Sequence, residues 1–177
     1  CHDIGKHLGC YGVKSVNTNS IDSLAKEGIL FNNAFATSSG CSPSRAAIAT
    51  GRYPHNTGVL GLAHAHFGWS LDKKIKHIAK YFANNDYNSI LFGLQHVTYH
   101  EQTLGFNKIF PERPADHVVK NIEDSIDTKL FKKPFYAEVN FFEPHRPFDY
   151  GGIKPFRSQG VYIPKYIPNN HNTKKEF

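Results

Sequence analysis

Twelve consecutive residues, Cys41-Ser42-Pro43-Ser44-Arg45-Ala46-Ala47-Ile48-Ala49-Thr50-Gly51-Arg52, carry the densest chemistry in the chain. A sulfur residue precedes a helix that Pro43 is suited to start. The N-terminus of a helix offers unpaired N–H groups and partial positive charge, which together favour an anion. Arg45 adds a planar fork of donors matched to a tetrahedral oxyanion. On residue types alone, Cys41 is either a nucleophile facing an anionic substrate or a buried thiol in a capping turn.

Three more positions gain meaning from the elements that must hold them. Ligands of open parallel α/β sheets bind beyond the carboxyl ends of the strands. His96 follows a predicted strand over 89–93, and His145 follows one over 135–142. Asp3 opens the chain, where a preceding strand would end, and Cys41 is placed in the loop after a predicted strand over 29–36. Thr18 caps a predicted helix carrying Ile21, Leu24 and Ala25, closed by Gly28. A helix is expected over 46–50, a surface loop over 52–70, and a helix over 72–84 with Ile75, Ile78, Ala79 and Phe82 at helical spacing. The stretch to Pro114 reads as irregular, 115–131 as a helix, and the last 30 residues as a long loop. Helices alternating with strands predict an α/β fold: a mostly parallel sheet flanked by helices on both faces.

The chain has 177 residues, 40% hydrophobic and 20% charged, which excludes a disordered segment. Twenty-one Lys and Arg against 15 Asp and Glu give a net charge of +6. The basic residues are scattered, so nucleic acid is not an expected partner. No apolar run is long enough for a transmembrane segment. Three cysteines form neither a disulfide framework nor a zinc spacing. With no methionine, the chain is expected to be a processed chain or a fragment.

The C-x-P-S-R then T-G pattern of Cys41, Pro43, Ser44, Arg45, Thr50 and Gly51 resembles the signature of the sulfatase family. His2-Asp3-Ile4-Gly5 with Leu8-Gly9-Cys10-Tyr11-Gly12 resembles that family's D-D-x-G and L-G-x-Y-G, with His2 in place of the first Asp. Gly93-Leu94-Gln95-His96 resembles G-K-x-H, with Leu94 in place of the lysine. Phe142 to Phe148 resembles a P-H-x-P-F segment presenting His145. Val161-Tyr162-Ile163-Pro164-Lys165-Tyr166-Ile167-Pro168-Asn169 resembles a V-x-x-P-x-x-x-P-D loop, with Asn169 in place of the acid. His55 reads as scaffold, the His64/His66 pair as solvated loop, and Arg146 as a surface arginine.

The resemblance implies an alkaline-phosphatase-like fold and a sulfuric ester or sulfamate hydrolase. It implies that a formylglycine-generating enzyme oxidises Cys41 to formylglycine, whose hydrate attacks sulfur. Arg45 is then catalytic and substrate-binding, and His96 hydrogen-bonds the diol and helps collapse the intermediate. His145 contacts substrate and protonates the leaving group. Asp3 and the modified Cys41 are implied ligands of one calcium ion. The implied substrate is a sulfated glycan, and the motifs look closest to bacterial heparan N-sulfatase-like proteins. Export to the periplasm or cell exterior is likewise implied. Sulfatases are usually more than twice as long as these 177 residues. Residues 1–177 are therefore expected to be the N-terminal portion of one catalytic domain, lacking the first strand and the C-terminal half, and inactive alone. Two other readings stay open: a phosphonate monoester or phosphodiester hydrolase of the same superfamily, and a non-catalytic pseudoenzyme that binds sulfated glycans.

Overall fold

A computed structural model describes residues 1–152 except 65 and 67, together with 163 and 165–176. They fall into two compact units, one of Cys1–Asp3 with Phe35–Ile153 and the other of Ile4–Ala34 with Lys154–Phe177.

The first unit is built on β1 (Asn88–Gly93), in which Ile90, Leu91 and Phe92 are fully buried. Each such side chain contributes roughly 1.5–3 kcal/mol by leaving water. β1 lies between β2 (Lys108–Phe110) and β3 (Phe135–Asn140), and both pairings are parallel. A central parallel strand is covered on both faces, hence its unbroken apolar run. Successive side chains alternate between the faces. Ile90 and Phe92 meet Val118 of α5 (Ala115–Ile126), with Phe110, Ile122 and Ala137 packed around them. Ser89 and Leu91 pair in register with Tyr136 and Glu138, which share the opposite face. There Phe82 of α4 (Ile78–Ala83) stacks on Tyr136, with ring centroids 4.8 Å apart. The sheet is thus parallel and flanked by helices on both sides, as the alternating pattern predicts.

A second core joins Ala46 of α2 (Cys41–Thr50) to Val59, Leu71, Val97 and Leu104, with Trp69, Ile75 and Phe106 against it. Part of the predicted 52–70 surface loop is therefore interior. It contains the short helix α3 (Pro54–Thr57) and buries Thr57, Val59 and Ala63.

β1 ends at Gly93, whose φ is 83° and whose added Cβ would lie 2.0 Å from the Asn140 carbonyl oxygen. Only glycine allows both the turn and the close approach to β3. Gly93→Ala is expected to destabilise this unit by at least ~2 kcal/mol, read from the urea midpoint, with the largest amide shifts at Asn140.

In the second unit, α1 (Asn19–Glu27) follows Thr18 and is closed by Gly28, as expected. The Thr18 hydroxyl does not cap its own helix: it accepts from Gly9 N–H at 2.8 Å and donates to Asp22. Asp22 in turn accepts from Cys10 N–H at 2.7 Å, and a Cβ at Gly9 would lie 2.2 Å from its carboxylate. The glycine of the Leu8-Gly9-Cys10 turn is required by that carboxylate. No side chain of α1 is buried, so its apolar stripe of Ile21 and Leu24 is open to solvent. Among the described residues the chain closes with α6 (His171–Glu176), where a loop was expected.

Several expected elements differ. Residues 29–36 form no strand, and Ile29, Phe31 and Phe35 are exposed. β-branched and aromatic residues favour a strand only where a neighbour completes the ladder. Here the Phe31 and Asn32 carbonyls accept instead from Tyr11 Oη and Lys6 Nζ. Consequently Cys41 does not lie in a loop after a strand; it opens α2. The helix expected over 72–84 begins only at Ile78, because His77 Nδ1 accepts the Ala79 N–H and caps the start there. The helix over 115–131 stops at Ile126, and the stretch before Pro114 contains β2. Val161, Tyr162 and Pro164 of the expected C-terminal loop motif lie outside the described residues.

Candidate active site

Helix α2 starts at Gly40, whose carbonyl accepts the Ser44 N–H at 3.0 Å. Ser42 is buried, and its hydroxyl accepts the Ala63 N–H, anchoring the first turn. Cys41 is left partly exposed on that turn, with a free thiol. Arg45 lies four residues on, on the same helical face. Its Nη1 donates to Asn140 Oδ1, at the end of β3, at 3.0 Å. Burial lowers the Arg45 pKa, while Glu138, Cys41 and Asp3 oppose that shift. Arg45 is thus a half-desolvated cation beside the thiol and beside both carboxylates.

After Gly93 the chain turns around Gln95. Its side chain is buried, accepting from Val97 N–H at 2.6 Å and donating to the Thr98 carbonyl at 2.7 Å. This internal brace holds His96 in a left-handed conformation, φ 59°, which a non-glycine residue adopts only under constraint. His96 is buried, and its Nδ1 has no hydrogen-bond partner. Its Nε2 makes a short hydrogen bond with Nδ1 of the exposed His64, and the two rings stack. Burial first, then electrostatic repulsion from its neighbours His64, His2, Arg45 and Arg113, lowers the His96 pKa to about 4. At neutral pH His96 is an uncharged imidazole.

His2 lies 5.7 Å from His96, ring to ring, and 5.9 Å from His145. It is buried, its Nε2 is also unpartnered, and burial followed by Arg45 lowers its pKa to about 4. The His2 N–H donates to the Glu143 carbonyl, tying the start of the chain to the segment after β3. That segment has cis bonds at Glu143–Pro144 and Arg146–Pro147. His145 Nδ1 donates to the Arg146 carbonyl at 2.6 Å. Nε2 is then the nitrogen free to exchange a proton, and Asp3 Oδ2 lies 3.4 Å from it. Asp3 itself is strained, with φ 52°.

Asp3, Cys41, Arg45, His96 and His145, far apart in sequence, therefore share one side of the first unit. His64, expected as solvated loop, joins them through His96; the only sequence signal for it was the H-x-H pair. His55 stays outside the group, stacked on Tyr53. Arg146 lies over the Phe148 ring, matching its reading as a surface residue.

Among the described residues, no group of three or more His, Cys, Asp or Glu is arranged to hold a metal ion. Calcium takes six to eight oxygen ligands. Here Asp3 offers one carboxylate, His2 offers an imidazole, and the Asn140 oxygen is taken by Arg45. These residues do not fit a calcium ion by themselves, and the chemistry below runs through side chains alone.

The parallel sheet with helices on both faces makes this an α/β protein, consistent with an alkaline-phosphatase-like fold, and an arginine- and imidazole-lined group lies beyond its carboxyl ends. The family model described as Sulfatase matches residues 3–137, and the chain belongs to the sulfatase family. An ulvan-active sulfatase of Formosa agariphila is 32% identical over 95% of this chain and 32% of its own length. Human N-sulphoglucosamine sulphohydrolase is 29% identical over 81% of this chain and 30% of its own length. A crystal structure described as bound to its substrate D-glucosamine-2-N,6-O-disulfate shares the fold, with TM-score 0.66, 20% identity, and coverage of 80% of this chain and 32% of that one. The chain spans about a third of the length of these relatives. No helix among the described residues is long and apolar enough to cross a membrane.

Proposed function

We propose that this chain carries the nucleophile-bearing part of a sulfatase catalytic domain, and that the whole domain hydrolyses sulfate esters or sulfamates of a sulfated glycan. The observation that supports this best is the convergence of Cys41, neutral His96 and the Asp3–His145 pair around Arg45, one helical turn after Cys41. Water adds across the S–O or S–N bond; the alcohol or amine leaves with a proton, and sulfate is released. Converted to formylglycine, residue 41 would supply a hydroxyl nucleophile that no standard side chain provides.

Arg45 binds sulfate oxygens, with the helix N-terminus adding partial positive charge. His96 takes a proton on Nδ1, since its Nε2 is engaged by His64. His145 presents Nε2 as the nitrogen that exchanges a proton with the leaving group, its ring held by the Nδ1 hydrogen bond to the Arg146 carbonyl. Leu94 stands where the family resemblance has a lysine, so this position supplies no cation to the substrate. Asp3 and residue 41 are the share of a calcium site that the resemblance assigns to this chain. A glycan substrate is favoured by the names of the relatives, one active on ulvan and one an N-sulphoglucosamine sulphohydrolase. Cleavage of an N–S bond, suggested by the name of the N-sulphoglucosamine sulphohydrolase, is the more specific form of this proposal.

Co-expression with a formylglycine-generating enzyme tests the assignment of Cys41. The peptide carrying Cys41 is expected to lose sulfur and gain an aldehyde, and Cys10 is expected to stay a thiol. An unmodified Cys41, in cells that modify a control sulfatase, would move the pseudoenzyme reading ahead.

A further inference from the structure

A line of polar side chains that no step above uses runs along one partly buried face of β3. Tyr136, Glu138 and Asn140 alternate onto the face that α4 covers. Tyr136 Oη donates to Glu138 Oε2 at 3.3 Å, and Asn140 Nδ2 donates to Glu138 Oε1 at 2.8 Å. Arg45 Nη1 donates to Asn140 Oδ1 at 3.0 Å. His77 accepts the Ala79 N–H on Nδ1, so its neutral ring carries the proton on Nε2, 3.7 Å from Glu138 Oε2. Burial lowers the His77 pKa and, with Glu138, raises that of Tyr136, so both partners stay in the forms that donate.

Donor and acceptor chemistry gives this line a single direction. A carboxylate only accepts, and a guanidinium only donates. Asn140 must turn its NH2 to Glu138 and its oxygen to Arg45. Reversing the amide would set acceptor against acceptor at Glu138 and donor against donor at Arg45. Tyr136 and His77 keep the carboxylate itself from rotating.

We propose that Tyr136, Glu138 and Asn140 form a positioning device for Arg45. Glu138 sets the orientation of the Asn140 amide, and Asn140 holds the guanidinium beside Cys41. The inference rests on the anion-binding role given to Arg45 above. None of the three touches the reacting atoms; each acts through Arg45. A free arginine loses side-chain freedom when it binds an anion, and ordering it beforehand removes that loss.

The test is arginine side-chain NMR on the 15N-labelled chain, with inorganic sulfate as the titrant. In the wild type the two Nη groups of Arg45 are expected to give separate, slowly exchanging signals. Asn140→Leu and Glu138→Ala are expected to average them and to weaken sulfate binding about tenfold. Glu138→Gln is expected to keep the separate signals, because its amide oxygen can still accept from Asn140 Nδ2. Backbone amide signals of the β1–β3 ladder report whether each variant is folded. If Glu138→Ala does not fold, Asn140→Leu and Glu138→Gln carry the comparison.

Unchanged Arg45 signals in a folded Asn140→Leu chain would overturn the device. Averaging in Glu138→Gln would do so too, since it would reduce Glu138 to a simple counter-charge. Averaged signals already in the wild type would equally overturn it, whether or not sulfate binds. Signals that collapse in the variants while the wild-type chain binds no sulfate would support the device and overturn the sulfate reading of Arg45 instead.

Discussion

Arg45→Ala is expected to weaken the binding of inorganic sulfate to this chain by at least about thirtyfold, as measured by calorimetry. The reason lies in how Arg45 is surrounded. It is substantially buried, so its charge is poorly screened by water. Its neighbours His2 and His96 are neutral at pH 7 and add no charge of their own, so the anion-binding charge falls to Arg45. Removing it also leaves the oxygen of the buried Asn140 without its donor. Arg45→Lys keeps the charge but loses the planar fork, so it should fall between the two. Lys120→Ala, on an exposed turn of α5, removes one charge from the surface and should change affinity little. Equal affinities in wild type and Arg45→Ala would place sulfate elsewhere and remove the main support for the proposed function.

The segments that position this site were legible where one residue type had a single structural use. A glycine after an apolar run marked the end of β1, and with it the place of His96. Pro43 and Gly51 bracketed α2, although the helix begins earlier than Pro43 alone suggests, because Gly40 supplies the first carbonyl. Elements that depend on a distant partner were not legible. β2 is three residues of ordinary composition and exists because the edge of β1 pairs with it. Residues 29–36 have strand-forming side chains and no described partner, and they stay irregular.

The β3 segment shows the same division inside one element. Residues 135–142 read as strongly apolar, and the strand was correctly expected. Its period-two pattern also places Tyr136, Glu138 and Asn140 on one face, and that signal went unread because the apolar residues dominate the composition. What no pattern could supply is that this face meets Arg45, 95 residues earlier in the chain. His64 is a similar case: an H-x-H pair has no fixed geometry until the chain brings one ring against His96. The residues proposed to carry the chemistry could be named from sequence, whereas the residues that hold them in place depend on the fold.

Acidification should unfold the first unit through its buried imidazoles. His96 has a folded pKa of about 4 against an ordinary value of 6.5, and His2 shifts to the same value. Burial moves His77 in the same direction. Between those values the unfolded chain binds protons that the folded chain refuses. Stability therefore falls as pH drops from about 6.5 towards about 4, and these groups give no pH dependence above about 7. A shift of this size corresponds to about 3 kcal/mol per imidazole at full weight, and screening through exposed neighbours such as His64 reduces it to roughly 1–2 kcal/mol. Urea midpoints measured across that range should show the fall. Carboxylates also titrate at its lower end, so the decisive comparison is between variants. His96→Asn, which cannot be protonated, should flatten the upper part of the curve, while His55→Asn, on the exposed α3 outside the group, should not. If His96→Asn keeps the wild-type slope, His96 is charged in the folded chain, and its assignment as the neutral proton acceptor of the site fails with it.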